Sequence, residues 1–154
     1  MPMIDIYAPE GTFPESNEAA LLDRATAVLL QFEKTTGIPL AVSNTGAYLH
    51  VLPKTRVAAG GKADKVVRIQ LLTPRDGLQQ PQRNGITEGM TKIVGELASD
   101  PKIAERTWVL FSEAVDGGWG IAGKAYNNGE LFEAVKASAI AARKIGRASC
   151  RERV

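Results

Sequence analysis

The sequence predicts an α+β fold: a tandem β-α-β repeat whose four strands form one mixed, mostly parallel sheet with two helices on one face. Three observations predict it. Period-two apolar patterns recur in both halves of the chain, each followed by a helical stripe and a further strand pattern. The halves align on each other, because Ile4-Asp5-Ile6-Tyr7-Ala8-Pro9 matches Ile69-Gln70-Leu71-Leu72-Thr73-Pro74 at an offset of 65, which also carries the first helix onto the second. Finally, 154 residues with 44% hydrophobic and 23% charged side chains are enough for one domain with a full core and are not a disordered composition.

The first strand is expected at Met3 to Ala8, where Ile4, Ile6 and Ala8 alternate with Met3, Asp5 and Tyr7. Pro9, Gly11 and Pro14 mark a loop, and Ser16 or Asn17 is the expected cap of the next helix, with Glu15 and Glu18 near its positive end. Leu21, Ala25, Val28, Leu29 and Phe32 give that helix one apolar stripe, and Gly37 and Pro39 stop it. A strand at Ala47 to Leu52, ended by Pro53, completes the first unit, 2–53. Lys54 to Lys65 reads as a connector.

The second unit, 66–125, opens with the strongest strand pattern, Val66 to Leu72, with Val67, Ile69 and Leu71 on one face. Thr73-Pro74-Arg75-Asp76-Gly77 is its turn, and Pro81 suits the first turn of a helix with the stripe Ile86, Met90, Ile93 and Leu97. Asp100-Pro101 caps a short turn, Thr107 to Glu113 is a strand, and Gly117 to Gly123 suggests a hairpin. A last helix is expected from Glu130 to Ile145 through Leu131, Val135, Ala139 and Ala142, ending a single domain, 1–145. Right-handed crossovers put both unit helices on one face of the sheet, and an apolar face left open is usually covered by another subunit.

Charge excludes little until its source is found. The net +2 equals the excess of Arg147, Arg151 and Arg153 over Glu152 in residues 146–154, so the rest of the chain is neutral. That stretch lacks apolar periodicity and reads as a vector-derived tail, with a native basic tail as the other reading. A basic balance confined there is no argument for a nucleic-acid partner. No apolar run approaches the roughly 20 residues of a membrane span, and the N-terminus lacks the pattern of a secretory signal. One cysteine, Cys150, excludes an intrachain disulfide, fitting a reducing, cytoplasmic setting, and one histidine with one cysteine makes a zinc site implausible. Gly118-Trp119-Gly120-Ile121-Ala122-Gly123 fits G-x-G-x-x-G formally, but it follows the last strand of a unit and has no acidic partner about 20 residues on, so nucleotide binding is not expected.

Three features together resemble the tautomerase superfamily, whose members include 4-oxalocrotonate tautomerase and macrophage migration inhibitory factor. They are the opening Met1-Pro2-Met3-Ile4-Asp5-Ile6, the tandem strand–helix–strand repeat, and Trp108-Val109-Leu110-Phe111-Ser112-Glu113 followed by Gly118-Trp119-Gly120-Ile121-Ala122-Gly123. The doubled length resembles the fused members. The resemblance implies a homotrimer, an N-terminal proline exposed by loss of Met1, and a cofactor-free isomerase interconverting enol and keto forms of a small carboxylate. The alternatives are hydrolytic dehalogenation or decarboxylation on the same scaffold, or a trimer that only binds.

The chemistry suits the residue. An unperturbed α-amino group titrates near 7.7–8.0, and burial or neighbouring cations lower that value, so Pro2 can serve as base or acid without histidine. The plainer reading of Pro2 is a rigid start to an edge strand. By the resemblance, Arg75 holds the substrate carboxylate in two parallel hydrogen bonds, the plainer reading being an exposed turn residue. Trp119 stands where family members wall the pocket with an aromatic; otherwise it packs in a subunit contact. His50, on the same strand face as Tyr48 and Leu52, is a candidate for binding substrate or activating water, or a hydrogen-bonded structural histidine. Trp108 is a pocket candidate or a core residue, and Glu113 is the other candidate water activator. Tyr7 is held in reserve as a phenolic acid. The sequence departs from the family pattern at Thr12 and Trp108, which stand where short members carry arginines, so a monoacid is expected rather than a diacid.

Overall fold

The computed structural model describes residues 1–151, with side chains through 144. Strand β1 (Met3–Pro9) leads into helix α1 (Glu15–Phe32), a short helix α2 (Pro39–Ser43) and strand β2 (Gly46–Leu52). A 3₁₀ turn (Lys54–Arg56) and a two-strand ribbon, β3 (Ala58–Ala59) and β4 (Lys62–Ala63), occupy the connector. Strand β5 (Val67–Pro74), helix α3 (Gln80–Leu97), a 3₁₀ helix (Pro101–Arg106) and strand β6 (Thr107–Ala114) form the second unit. A hairpin of β7 (Trp119–Ile121) and β8 (Lys124–Tyr126) precedes helix α4 (Asn128–Arg151).

The sheet has the order β2-β1-β5-β6. Each unit contributes a parallel pair, and the two units meet antiparallel along β1 and β5. The register at that seam explains the sequence repeat. Ile4 pairs with Leu71 and Ile6 with Ile69, and Ile4 and Ile69 are repeat mates, as are Ile6 and Leu71. Exchanging the halves therefore maps the pairing onto itself, so a local twofold axis runs between the two central strands. Pro2 thus precedes an interior strand, which sets aside the edge-strand reading.

One face of the sheet carries the main core. Ile4, Ile6, Val67, Ile69 and Leu71 pack against Leu21, Ala25 and Leu29 of α1 and against Ile86, Met90, Ile93 and Val94 of α3. The helices also touch each other closely. A Cβ at Gly85 would lie 2.3 Å from the ring of Phe32, and one at Gly89 would lie 3.0 Å from Val28, so glycine is what lets α3 settle onto α1.

Among the described residues, no helix lies over the opposite face. Register places Tyr48 and His50 of β2, Asp5 and Tyr7 of β1, Arg68 and Gln70 of β5, and Trp108 and Leu110 of β6 on it. Tyr48, Trp108 and Leu110 are large and exposed. Trp108 is therefore not a core residue of the subunit.

Several local expectations change. Helix α1 starts at Glu15 behind Pro14, with no side-chain cap. Asn17 instead donates from its side-chain amide to the Leu97 carbonyl at 2.9 Å, joining α1 to the end of α3. Pro39 begins α2 as well as ending the preceding turn, since its fixed φ suits a first helical position. In α3 the buried stripe ends at Val94, with Leu97 only packed against the core. Helix α4 starts at Asn128, where Asn127 Oδ1 accepts from the Glu130 N–H at 2.9 Å and Glu130 Oε2 accepts from the Asn127 N–H at 3.1 Å. This reciprocal capping adds a turn before Glu130. The helix runs past Ile145 into the stretch read as a tail; residues 152–154 of that stretch lie outside the described residues.

Candidate functional site

The antiparallel seam decides where the chain's start goes. Met3 pairs with Leu72, so the residues before β1 lie beside the turn that follows β5. That turn is closed by a hydrogen bond from the Gly77 N–H to the Pro74 carbonyl at 3.1 Å. The side-chain amide of Asn128 donates to the Arg75 carbonyl at 3.1 Å and ties the turn to the start of α4. Met1 and Arg75 then line one cleft of about 670 Å³, together with Glu33, Ile38, Leu131 and Lys136.

Pro2 is buried behind that cleft, and its carbonyl accepts from the Gly46 N–H at 3.3 Å. With Met1 in place its nitrogen is an amide, and the chain's ammonium sits on Met1. That ammonium donates to both carboxylate oxygens of Glu33, at 2.9 and 3.2 Å, with both side chains almost wholly buried. Glu33 is the C-cap residue of α1, and its Oε2 also accepts from Thr35 Oγ1 at 3.5 Å.

The Met1 side chain fills a second, smaller core. Its buried partners are Leu30, Ala41, Leu131 and Trp119. Trp119 reaches this core because the hairpin folds back over the end of the sheet, through a two-residue turn in which Ala122 and Gly123 both have positive φ, 50° and 82°. Such a turn matches the twist of its strands. The Arg75 guanidinium is 60% exposed and lies 3.5 Å from Asp76, a loose contact that leaves its donors available. Pro2, Arg75 and Trp119 are thus brought to one end of the sheet.

His50 and Trp108 lie elsewhere. His50 Nε2 is 2.6 Å from Asp5 Oδ1, and its ring stacks on Tyr7 at 4.4 Å between centroids and 11° between planes. Arg68 lies over the same Tyr7 ring at 4.7 Å, and Trp108 is next to Arg68 in register. The four side chains form a row across the open sheet face, outside the cleft within one subunit. Glu113 is paired with Arg83 at 2.6 Å. Thr12 is buried, its hydroxyl donating to the Pro9 carbonyl at 2.7 Å.

The local twofold supplies an internal comparison. A second cleft, of about 230 Å³, is lined by Gly11, Thr12, Ser99, Asp100 and Ile103 among others. Those five are the repeat mates of Asp76, Gly77, Lys34, Thr35 and Ile38, all of which line the first cleft. In the second cleft Val67 replaces Pro2, Glu10 replaces Arg75 and Ala98 replaces Glu33. The fold therefore builds a related hollow twice, and where the first holds the chain's start the second is lined by Asp64, Lys65, Lys102 and Arg106. Glu33 was the member of the site that reading for motifs missed. Its one signal is that a glutamate and an alanine occupy the same C-cap position in the two repeats.

No family model matches the sequence, and no curated protein does. Solved structures do match. A wild-type fused 4-OT symmetric trimer, Q0, is 12% identical with a TM-score of 0.67, covering 84% of this chain and 98% of that one. Pt0534 inactivated by 2-oxo-3-pentynoate is 19% identical with a TM-score of 0.67, covering 84% and 98%. Macrophage migration inhibitory factor of Toxoplasma gondii is 13% identical with a TM-score of 0.65, covering 80% and 99%. The antiparallel pair of β-α-β units is thus the fold of the fused 4-OT and macrophage migration inhibitory factor structures of the tautomerase superfamily.

Proposed function

We propose that the mature chain, with Met1 removed, is a cofactor-free tautomerase acting on a small 2-oxo or enol monocarboxylate. The observation that carries this reading is that the chain's start and the Arg75 guanidinium line one cleft while Trp119 packs with Met1; the second cleft has a guanidinium of its own, Arg106, but no terminal amine. Removal of Met1 converts the Pro2 amide into a secondary amine and vacates the apolar space that the Met1 side chain fills between Leu30, Ala41, Leu131 and Trp119. The amine exchanges a proton with the substrate carbon as enol and keto forms interconvert, Arg75 holds the carboxylate by two hydrogen bonds, and Trp119 keeps water from one wall. The reading extends to a homotrimer. Its support is the helix-free sheet face with exposed Tyr48, Trp108 and Leu110, and the trimeric state of one fused structural neighbour. His50 and Trp108 would then serve the subunit contact.

The experiment is direct. Intact mass determines whether Met1 is removed. Phenylenolpyruvate, a monocarboxylate, is then assayed with the wild type and Pro2→Ala, with the dicarboxylate 2-hydroxymuconate as the comparator expected to turn over less well. Turnover of the wild type and a loss of 100-fold or more in kcat/KM for Pro2→Ala is the expected result. The inactivator carried by one neighbour, 2-oxo-3-pentynoate, should add its mass to Pro2. Undiminished turnover by Pro2→Ala refutes the amine mechanism, and sedimentation as a monomer refutes the trimer.

A further inference from the structure

Glu33 stands out because a carboxylate at a helix C-terminus is electrostatically misplaced: the negative end of the helix dipole disfavours it. It is also nearly buried, which adds a desolvation cost unless a cation answers it. The cation it has is the chain's own ammonium, bound through both oxygens at 2.9 and 3.2 Å. The repeat mate of this position is Ala98, at the C-cap of α3, where the start of the second unit is mid-chain and carries no amine. At this C-cap position the acid stands in the unit that carries the amine, and alanine in the one that does not.

From this juxtaposition we infer that Glu33 is the positioning residue of the amine, holding the Pro2 ammonium of the processed chain charged through neutral pH so that it enters turnover as a proton donor. The inference rests on the reading that Pro2 is the working group, and it decides which way that group works. Other charges face the same cleft. Lys34 comes from the end of α1, Arg75 and Asp76 from the turn after β5, and Lys136 from α4. The cations favour a neutral amine, but Asp76 is in contact with Arg75, and Glu133 lies 3.5 Å from Lys136. Glu33 is the group bonded to the ammonium on Met1, and loss of Met1 moves that ammonium one residue along, onto Pro2. An opposite charge within about 4–6 Å favours the charged form.

The step balances as a ketonisation. The N–H bond of the ammonium breaks and a C–H bond forms at the enol carbon, using the C=C π pair. The O–H electron pair becomes the C=O π bond, and the hydroxyl proton leaves to water. The neutral amine then takes a proton from solvent. Glu33 does not touch the substrate in this step; it sets the charge and direction of the nitrogen.

The test is a ¹⁵N titration of Pro2 in protein co-produced with methionine aminopeptidase and shown by mass to begin at Pro2. Glu33→Gln should lower the midpoint by about one pH unit, a tenfold change in the protonation constant. Its alkaline limb in the pH profile of kcat should fall by the same amount, while Glu33→Asp should restore most of the shift. In the wild type, the Glu33 carboxyl ¹³C signal should inflect at the Pro2 midpoint, a readout that needs no variant to fold. An unmoved or raised midpoint in Glu33→Gln, or a Glu33 signal blind to the Pro2 titration, overturns the inference even if Pro2→Ala is inactive. Full turnover by Pro2→Ala with the titration shift intact would instead remove the functional reading and leave the ion pair. A chain that keeps Met1 quantitatively in the presence of the peptidase overturns both.

Discussion

Replacing Trp119 with alanine asks whether the hairpin is a structural part of the site or merely lies over it. Trp119 is 7% exposed and packs with Met1, Leu30, Ala41 and Leu131. A buried indole hides about 200 Å² of largely apolar surface. At about 25 cal/mol per Å² that is about 5 kcal/mol of transfer free energy, an upper figure because unfolded chains are not fully extended. Truncations of this kind cost about 3–5 kcal/mol. For a domain of this size, 1 kcal/mol moves Tm by about 2–4 °C, so a fall of about 6–20 °C is expected. The assay is thermal unfolding by circular dichroism at one fixed protein concentration, because subunit association adds to apparent stability. Trp119→Phe should recover about half of the loss. Emission of Trp119→Ala should come from half-exposed Trp108 alone and shift to the red. A loss below about 1 kcal/mol would mean that the hairpin is not packed on the chain's start, and the wall assigned to Trp119 would go with it.

Three further outcomes follow from other contacts. Ile4→Ala and Ile69→Ala remove repeat mates that are both fully buried, so each should cost about 2–5 kcal/mol in urea unfolding; if one of the two is nearly free, the paired core is wrong. Arg75→Ala should raise KM at least tenfold for a monocarboxylate substrate with a smaller change in kcat, and an unaltered KM removes Arg75 from binding. The Glu130 carboxyl is held below the usual carboxylate range, chiefly by the hydrogen bond from Lys124 and then by the Asn127 N–H. Being lowered in the folded state, it supports the start of α4 above the ordinary glutamate value, and that support is lost as pH falls through the lowered one. Carboxyl ¹³C shifts should show the low midpoint, and Lys124→Ala should bring it back up.

Much of the architecture was legible because its signals are local. Ile4-x-Ile6 and Val67-x-Ile69-x-Leu71 declare strands by alternation, and the 65-residue offset declares that the second unit copies the first. Start and stop signals were less legible, because they depend on which hydrogen bond wins. Asn17 could have capped α1 but bonds the far end of α3, while Asn127 and Glu130 cap α4 where only Glu130 had been noted. Arg75 and Trp119 were legible as candidate site residues only through resemblance, since Pro2 and Arg75 lie 73 residues apart along the chain and Arg75 and Trp119 a further 44.

The sequence by itself determined the two units, their strand faces and the proline at the second position, since each is written in the spacing of neighbouring residues. Tertiary structure alone decided the site. The antiparallel register of β1 on β5 carries the start of the chain to the turn that holds Arg75, places His50 and Trp108 on the uncovered face instead, and sets the Glu33 carboxylate on the terminal ammonium. No one-dimensional pattern encodes that last contact, because a helix-capping glutamate acquires its meaning only when folding removes it from water beside the terminal ammonium.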